Sequence, residues 1–143
     1  MRVLVQSDPF DAAALLSGFG AGAGAIVTFT GLVRGDGGLV ALELEHYPGM
    51  TEAALSDHAR AAARRFALTD VLVVHRFGRI EVGAPIMMVA TAAPHRRAAF
   101  DGADFLMDWL KSRAPFWKRE IGADGPGGWV AAKDADEDAL SRW

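Results

Sequence analysis

Apolar positions change period several times along the chain, and each change marks an element. Val40, Leu42, Leu44 and His46 alternate with Ala41, Glu43 and Glu45, the period-two pattern of a strand with one buried face. The β-prone run 25–33 precedes it, and Arg34-Gly35-Asp36-Gly37-Gly38 between the two has turn composition, so together they predict a hairpin. Runs 71–77 and 86–92, joined by 78–83, predict a second hairpin. Elsewhere the period is helical. Ser7-Asp8-Pro9 starts a short helix over 9–17, with Asp accepting from the free amides and Pro in the first helical position. Thr51 caps a helix to 66, along which Leu55, His58 and Ala59, Ala62 and Phe66 recur at helical spacing. The longest periodic stretch, 94–113, puts Phe100, Ala103, Leu106, Met107 and Leu110 on one side until Pro115 stops it. Residues 129–132 read as a last strand and 134–143 as an acidic, partly helical tail.

Residues 18–24 alternate four glycines with other residues. A dinucleotide-binding loop follows a strand and opens a helix, whereas this one follows a helix and opens a strand, so it reads as a connection. No repeat or linker divides the chain. Hairpins with intervening helices predict a single α+β domain over 1–143, with a largely antiparallel sheet and flanking helices. Phe66, Phe100, Phe105, Trp109 and Trp117 are expected in its core.

Two counts in the 143 residues narrow the chemistry: there are no cysteines, and only Lys111, Lys118 and Lys133 among the 15 basic residues are lysines. The first count excludes disulfides, thiolate metal sites and thiol nucleophiles. It also makes the cytoplasm the default compartment. Gln6, Ser7, Asp8 and Asp11 interrupt the Val3-Leu4-Val5 run before a signal-peptide core forms, and no apolar run approaches a membrane span. The net charge of −3 argues against a protein that coats nucleic acid.

That mild charge hides an asymmetry. Residues 95–119 hold six basic and three acidic side chains, net +3, whereas residues 120–143 hold two basic and six acidic, net −4. Pro94-His95-Arg96-Arg97 sets cations in a first helical turn whose dipole favours anions, at a cost of ~0.3–1 kcal/mol each. A bound phosphate or carboxylate would relieve that cost at His95 and Arg96; Arg97 reads as solvated. Pro115 turns the chain out of the helix between Lys111 and Lys118, a geometry that brings two ammonium groups toward one pocket. Lys111 reads equally as a cap on the helix C-terminus. Arg34, beside its glycine-rich turn, is placed either to reach a ligand or to lie in solvent. His46 and His58 read as core or boundary residues, and His75 has no partner at metal-ligand spacing. On these residues alone, an enzyme using the two lysines competes with a non-catalytic anion-binding or RNA-binding module built on 95–119.

Five blocks, in order, resemble one family. They are Val27-Thr28-Phe29-Thr30-Gly31-Leu32-Val33-Arg34, Leu44-Glu45-His46-Tyr47-Pro48-Gly49-Met50-Thr51-Glu52, Val74-His75-Arg76-Phe77-Gly78, His95-Arg96, and the most specific, Met107-Asp108-Trp109-Leu110-Lys111-Ser112-Arg113-Ala114-Pro115-Phe116-Trp117-Lys118-Arg119-Glu120. The chain is similar to the large, catalytic subunits of molybdopterin synthase. The resemblance implies an α/β hammerhead fold, a homodimer, and a heterotetramer with two small ubiquitin-like sulfur carriers whose Gly-Gly tails end in a thiocarboxylate. It implies transfer of two sulfurs in succession to cyclic pyranopterin monophosphate, forming the dithiolene of molybdopterin, with no cofactor or metal resident in the subunit. By position, Lys111 and Lys118 correspond to the catalytic lysines, Lys118 also meeting substrate. Arg34, His95 and Arg96 correspond to residues that hold the anionic pterin, Phe29 and Met107 to pocket walls, and Lys133 to a basic residue that reaches the neighbouring subunit's site. Glu120 is expected to order the Lys118-Arg119 segment. Leu32 departs from the family, whose members often carry lysine there.

Overall fold

Two four-stranded sheets carry the chain, and the helix-to-strand corner at Pro115 separates Lys111 from Lys118. A computed structural model describes residues 1–130 and 134–143. In the first sheet the order is β1 (Arg2–Gln6), β4 (Asp70–Arg76), β6 (Pro85–Ala93), β2 (Ala25–Leu32), with only β1 and β4 parallel. In the second it is β5 (Gly78–Glu81), β3 (Leu39–His46), β7 (Phe116–Gly122), β8 (Gly125–Val130), all antiparallel. The helices are α1 (Ala12–Leu16), α2 (Met50–Phe66), α3 (Arg96–Ser112) and α4 (Asp134–Ala139). The architecture is α+β with mostly antiparallel strands, as the periodicity predicts.

The alternation in β4 and β6 divides the core. Val71, Val73, Met87 and Val89 face α2 and α3 on one side of the first sheet; Leu72, Val74, Met88 and Ala90 face α1 on the other. These eight side chains are almost wholly buried, and each contributes roughly 1–3 kcal/mol by leaving water. A third cluster of Val33, Leu44 and Ile80 joins the sheets, with Ile86 and Phe116 packed against it.

The second predicted hairpin forms, with Asp70 opposite Ala92 and His75 opposite Met87, but its connection leaves the sheet to become β5 beside β3. The first does not form. β2 pairs with β6, and β3 pairs with β5 and β7 in the other sheet. Alternation reports which face of a strand is buried and not which strand lies beside it. Gly37 and Gly38, at φ of 64° and 77°, redirect the chain between the sheets. β1 and β7 are found where no strand is predicted: β1 is too short to show a period, and the charged β7 takes its strand form from pairing with β3.

Helix starts also move. Gln6 donates to the carbonyls of Asp8 and Pro9, so α1 begins later, capped by Asp11 on the Ala14 amide. Gly49 at φ 85° caps α2, its amide donating to Glu52 at 2.6 Å, while Thr51 is buried and donates to the Tyr47 carbonyl. α3 starts at Arg96 with His95 as its cap. Phe66, Phe105 and Trp109 belong to the core as expected. Phe100 and Trp117, 56% and 42% exposed, do not. β8 begins four residues before the predicted last strand and includes its residues 129 and 130, while 131–132 lie outside the described residues. Residues 134–143 fold onto α3 through Arg142, which bonds Asp104 and Asp108, and Trp143, whose Nε1 donates to Asp108 at 2.6 Å.

Gly24 fixes where β2 meets the start of α3: its amide donates to Ala93, and a Cβ there would stand 2.0 Å from the Pro94 carbonyl oxygen. Gly24→Ala is expected to lower stability by about 1–3 kcal/mol, whereas Gly122→Ala, where a Cβ meets nothing within 4 Å, stays within ~0.5 kcal/mol; urea denaturation of both variants checks the contrast.

Between α2 and α3, His58 stacks on Phe105 and Trp109 at 4.6 and 4.3 Å. Burial lowers its pKa from 6.5 to about 4. The unfolded chain therefore takes up a proton where the folded chain does not, so stability falls as pH drops from about 6.5 toward 4. His58→Phe is expected to lose less stability than the parent between pH 7.5 and 5.5 in denaturation curves, and an equal loss would contradict the assignment.

Candidate active site

Lys111 sits in the last turn of α3. The amides of Arg113 and Ala114 both donate to the Trp109 carbonyl, at 2.7 and 3.2 Å, closing the helix before Pro115. Pro115 cannot continue it, and Phe116 begins β7 opposite His46. Two residues on, Lys118 lies opposite Leu44 and shares the strand face of Phe116. Trp117 and Arg119 take the other face, where Trp117 meets Tyr47 edge-on at 4.7 Å and Arg119 pairs with Glu43 at 2.9 Å beneath Trp129.

A cavity of about 460 Å³ opens at this corner. Leu42, Leu44, Ile86, Met87, Leu110 and Phe116 form its apolar walls, and Lys111, Lys118 and Arg34 bring three cations to it. Phe29 and Met107 line it too, Phe29 being 44% exposed on the edge strand β2. Arg34 has one ion pair, to Asp36 at 3.4 Å, in which both side chains are more than three-quarters exposed. Such a pair contributes little, and the guanidinium is free to exchange it for a ligand. Among the described residues Asp136 is the one carboxylate in the lining, on α4, held there by the Ser112 hydroxyl donating to its backbone carbonyl at 2.7 Å. Three cations against one carboxylate, over an apolar floor, make a site for an anion with a narrow body.

Five of the residues singled out above thus meet in one cavity: Lys111, Lys118, Arg34, Phe29 and Met107. His95 and Arg96 do not join them. Both are exposed at the opposite end of α3, about 22 Å away at 1.5 Å per residue. Lys133 lies outside the described residues. Glu120, in β7 opposite Leu42, is exposed, and Arg119 is held by Glu43 and Trp129. The basic window 95–119 is therefore not one patch. Arg97 faces Asp101, Arg113 faces Glu137 and Arg119 faces Glu43, so its positive character divides between the two ends of α3.

His75 also lines the cavity and was not singled out as a site residue. It is 6% exposed and stacks on Phe116 at 3.8 Å, and burial, the largest cause, lowers its pKa to about 4. A lone histidine at the end of an apolar run carries no signal that separates packing from function. Among the described residues no cluster of three or more metal-ligating side chains occurs, and no helix is long and apolar enough to cross a membrane.

Comparison with known proteins agrees with the fold. The MoaE protein family matches residues 5–113. The molybdopterin synthase catalytic subunit of Cereibacter sphaeroides is 61% identical over the whole of both chains. Among solved structures, the MoaE protein of Burkholderia ambifaria superposes with a TM-score of 0.85 at 46% identity, over 99% of this chain and 97% of that one. A structure of molybdopterin synthase from Staphylococcus aureus superposes at 0.82 with 27% identity, over 90% and 96%. The chain belongs to the MoaE protein family, and the relatives it matches along its whole length are molybdopterin synthase catalytic subunits.

Proposed function

We propose that this chain moves sulfur from the C-terminal thiocarboxylate of a small ubiquitin-like carrier to cyclic pyranopterin monophosphate, with Lys111 and Lys118 as its catalytic residues. The observation that carries the assignment is the convergence of those two lysines, from α3 and β7, on one cavity with Arg34. A Gly-Gly tail has no side chains to clash with walls such as Leu42 and Met87. Its anionic end is attracted by the cations and held where the apolar lining excludes water. Sulfur transfer from a thiocarboxylate passes through an anionic intermediate, and ammonium groups already in place stabilise it without reorganising. In each transfer the sulfur bonds to the pterin, and one water then cleaves the carrier's acyl–sulfur bond to leave a carboxylate, so two sulfurs require two tails in succession. Phe29 and Met107 shape the channel, and Arg34 and Lys118 hold the pterin phosphate.

His95 and Arg96 complete the site from a second copy. Within one subunit α3 keeps them about 22 Å from Lys111, too far to touch the same small molecule, whereas a two-fold dimer brings one subunit's helix start toward its partner's cavity. Lys133 is assigned the same crossing role. The working assembly is a homodimer with one carrier on each subunit, acting in the cytoplasm on a soluble substrate without nucleic acid, membrane or resident cofactor.

Lys111→Ala is expected to lower dithiolene formation at least 100-fold, with melting temperature and carrier binding unchanged; near-normal product formation from thiocarboxylated carrier and cyclic pyranopterin monophosphate would refute the role. Arg96→Ala is expected to raise KM for the pterin and leave the fold intact. At a pterin concentration too low for Arg96→Ala alone to turn over, mixing it with Lys111→Ala restores roughly a quarter of parental activity through random pairing in a two-fold dimer. No recovery on mixing would place Arg96 outside the partner's site.

A further inference from the structure

One buried polar side chain in the cavity has no part in the reaction as assigned above. His75, at the end of β4, is held from both sides. Its ring lies on Phe116 with centroids 3.8 Å apart and planes 16° from parallel, and its Nδ1 is 2.9 Å from the Arg76 carbonyl oxygen. A carbonyl only accepts, so Nδ1 carries the hydrogen and Nε2 keeps a lone pair. Nε2 lies across the ring from that bond, and among the described residues no group hydrogen-bonds to it. The ring is a wall of the cavity on which Lys111 also opens.

Resting on the sulfur-transfer reading, we propose that His75 is a positioning residue: its Nε2 accepts a hydrogen bond from the Lys111 ammonium and fixes that charge beside the carbonyl of the incoming thiocarboxylate. A lysine ammonium on four rotatable bonds samples many positions at the rim of a cavity. One fixed acceptor in the cavity wall selects among them as the tail enters and the bond forms.

The surroundings keep the ring in the form this role needs. Lys111 approaches from α3, Lys118 from β7, His46 from β3 and Arg34 from the end of β2, with Asp136 the carboxylate of the lining. Arg76, next in β4, turns its guanidinium away to the carbonyls of Ser7 and Pro85. Burial first, opposed by the bond to Arg76, and then the charges of Lys111 and His46 keep the imidazole neutral down to about pH 4. A base that weak accepts a hydrogen bond but does not take the proton of an ammonium, so the bond leaves the positive charge on Lys111.

Two variants and one spectrum test this. His75→Phe keeps a flat ring against Phe116 but has no acceptor, and is expected to lower kcat on the order of tenfold or more, with KM for the carrier unchanged. His75→Gln puts an amide oxygen near the place of Nε2 and is expected to recover most of that loss. Equal activity of His75→Phe and the parent, or equal impairment of both variants, would overturn the proposal. Ring 15N shifts of the parent protein at pH 7 give a readout independent of turnover and of folding of the variants. A hydrogen on Nδ1 and a bare Nε2 are expected, and a hydrogen on Nε2 would overturn it. Parental turnover in the same assay tests the sulfur-transfer reading separately.

Discussion

The site depends on one break in hydrogen bonding. Where Pro115 ends the helical ladder of α3, the chain turns directly into β7, and the β3–β7 ladder with Phe116 opposite His46 takes over. A helix end left to itself frays. This one is held on three sides: the Trp109 carbonyl accepts two amides, Phe116 is packed against His75, and Ser112 is tied to α4. Lys111 and Lys118 are seven residues apart in sequence and reach one cavity because that corner cannot relax.

The same corner governs electrostatics. Three like charges around one cavity repel one another, and among the described residues Asp136 is the one carboxylate of its lining. Other acidic side chains pair outside the cavity: Glu43 with Arg119, Glu137 with Arg113, and Asp104 and Asp108 with Arg142. These pairs tie the periphery of the corner. The tail that docks on α3 through Arg142 and Trp143 also brings Asp136 to the rim, so the strong charge contrast between 95–119 and 120–143 is spatial as well as sequential.

Much of this was legible in the chain. α3 was readable from five apolar positions at helical spacing and a proline stop, and α2 from a similar stripe. The β4–β6 hairpin was readable because both runs are buried on two faces and are therefore continuous. The lysine pair was legible through scarcity, two of three lysines bracketing one proline. Three things were not. Pairing partners are not encoded in alternation, so the hairpin predicted between β2 and β3 does not form and the two lie in different sheets. β1 and β7 are strands because of their neighbours, since neither has a pattern of its own. The distance from His95 and Arg96 to Lys111 is a property of the helix between them, and becomes meaningful only once its straight run from Arg96 to Ser112 is known.

On the proposed sulfur-transfer reading, the carrier's tail ends between Lys111 and Lys118. A carrier whose terminal glycine bears an amine-reactive acyl group reports this directly, because the chain has only three lysines. Mass-spectrometric mapping is predicted to find the tail joined through an amide to Lys111 or Lys118, and to find neither adduct when the carrier lacks its last two glycines. Adducts absent from both lysines, or formed equally without the tail, would place the tail's end elsewhere.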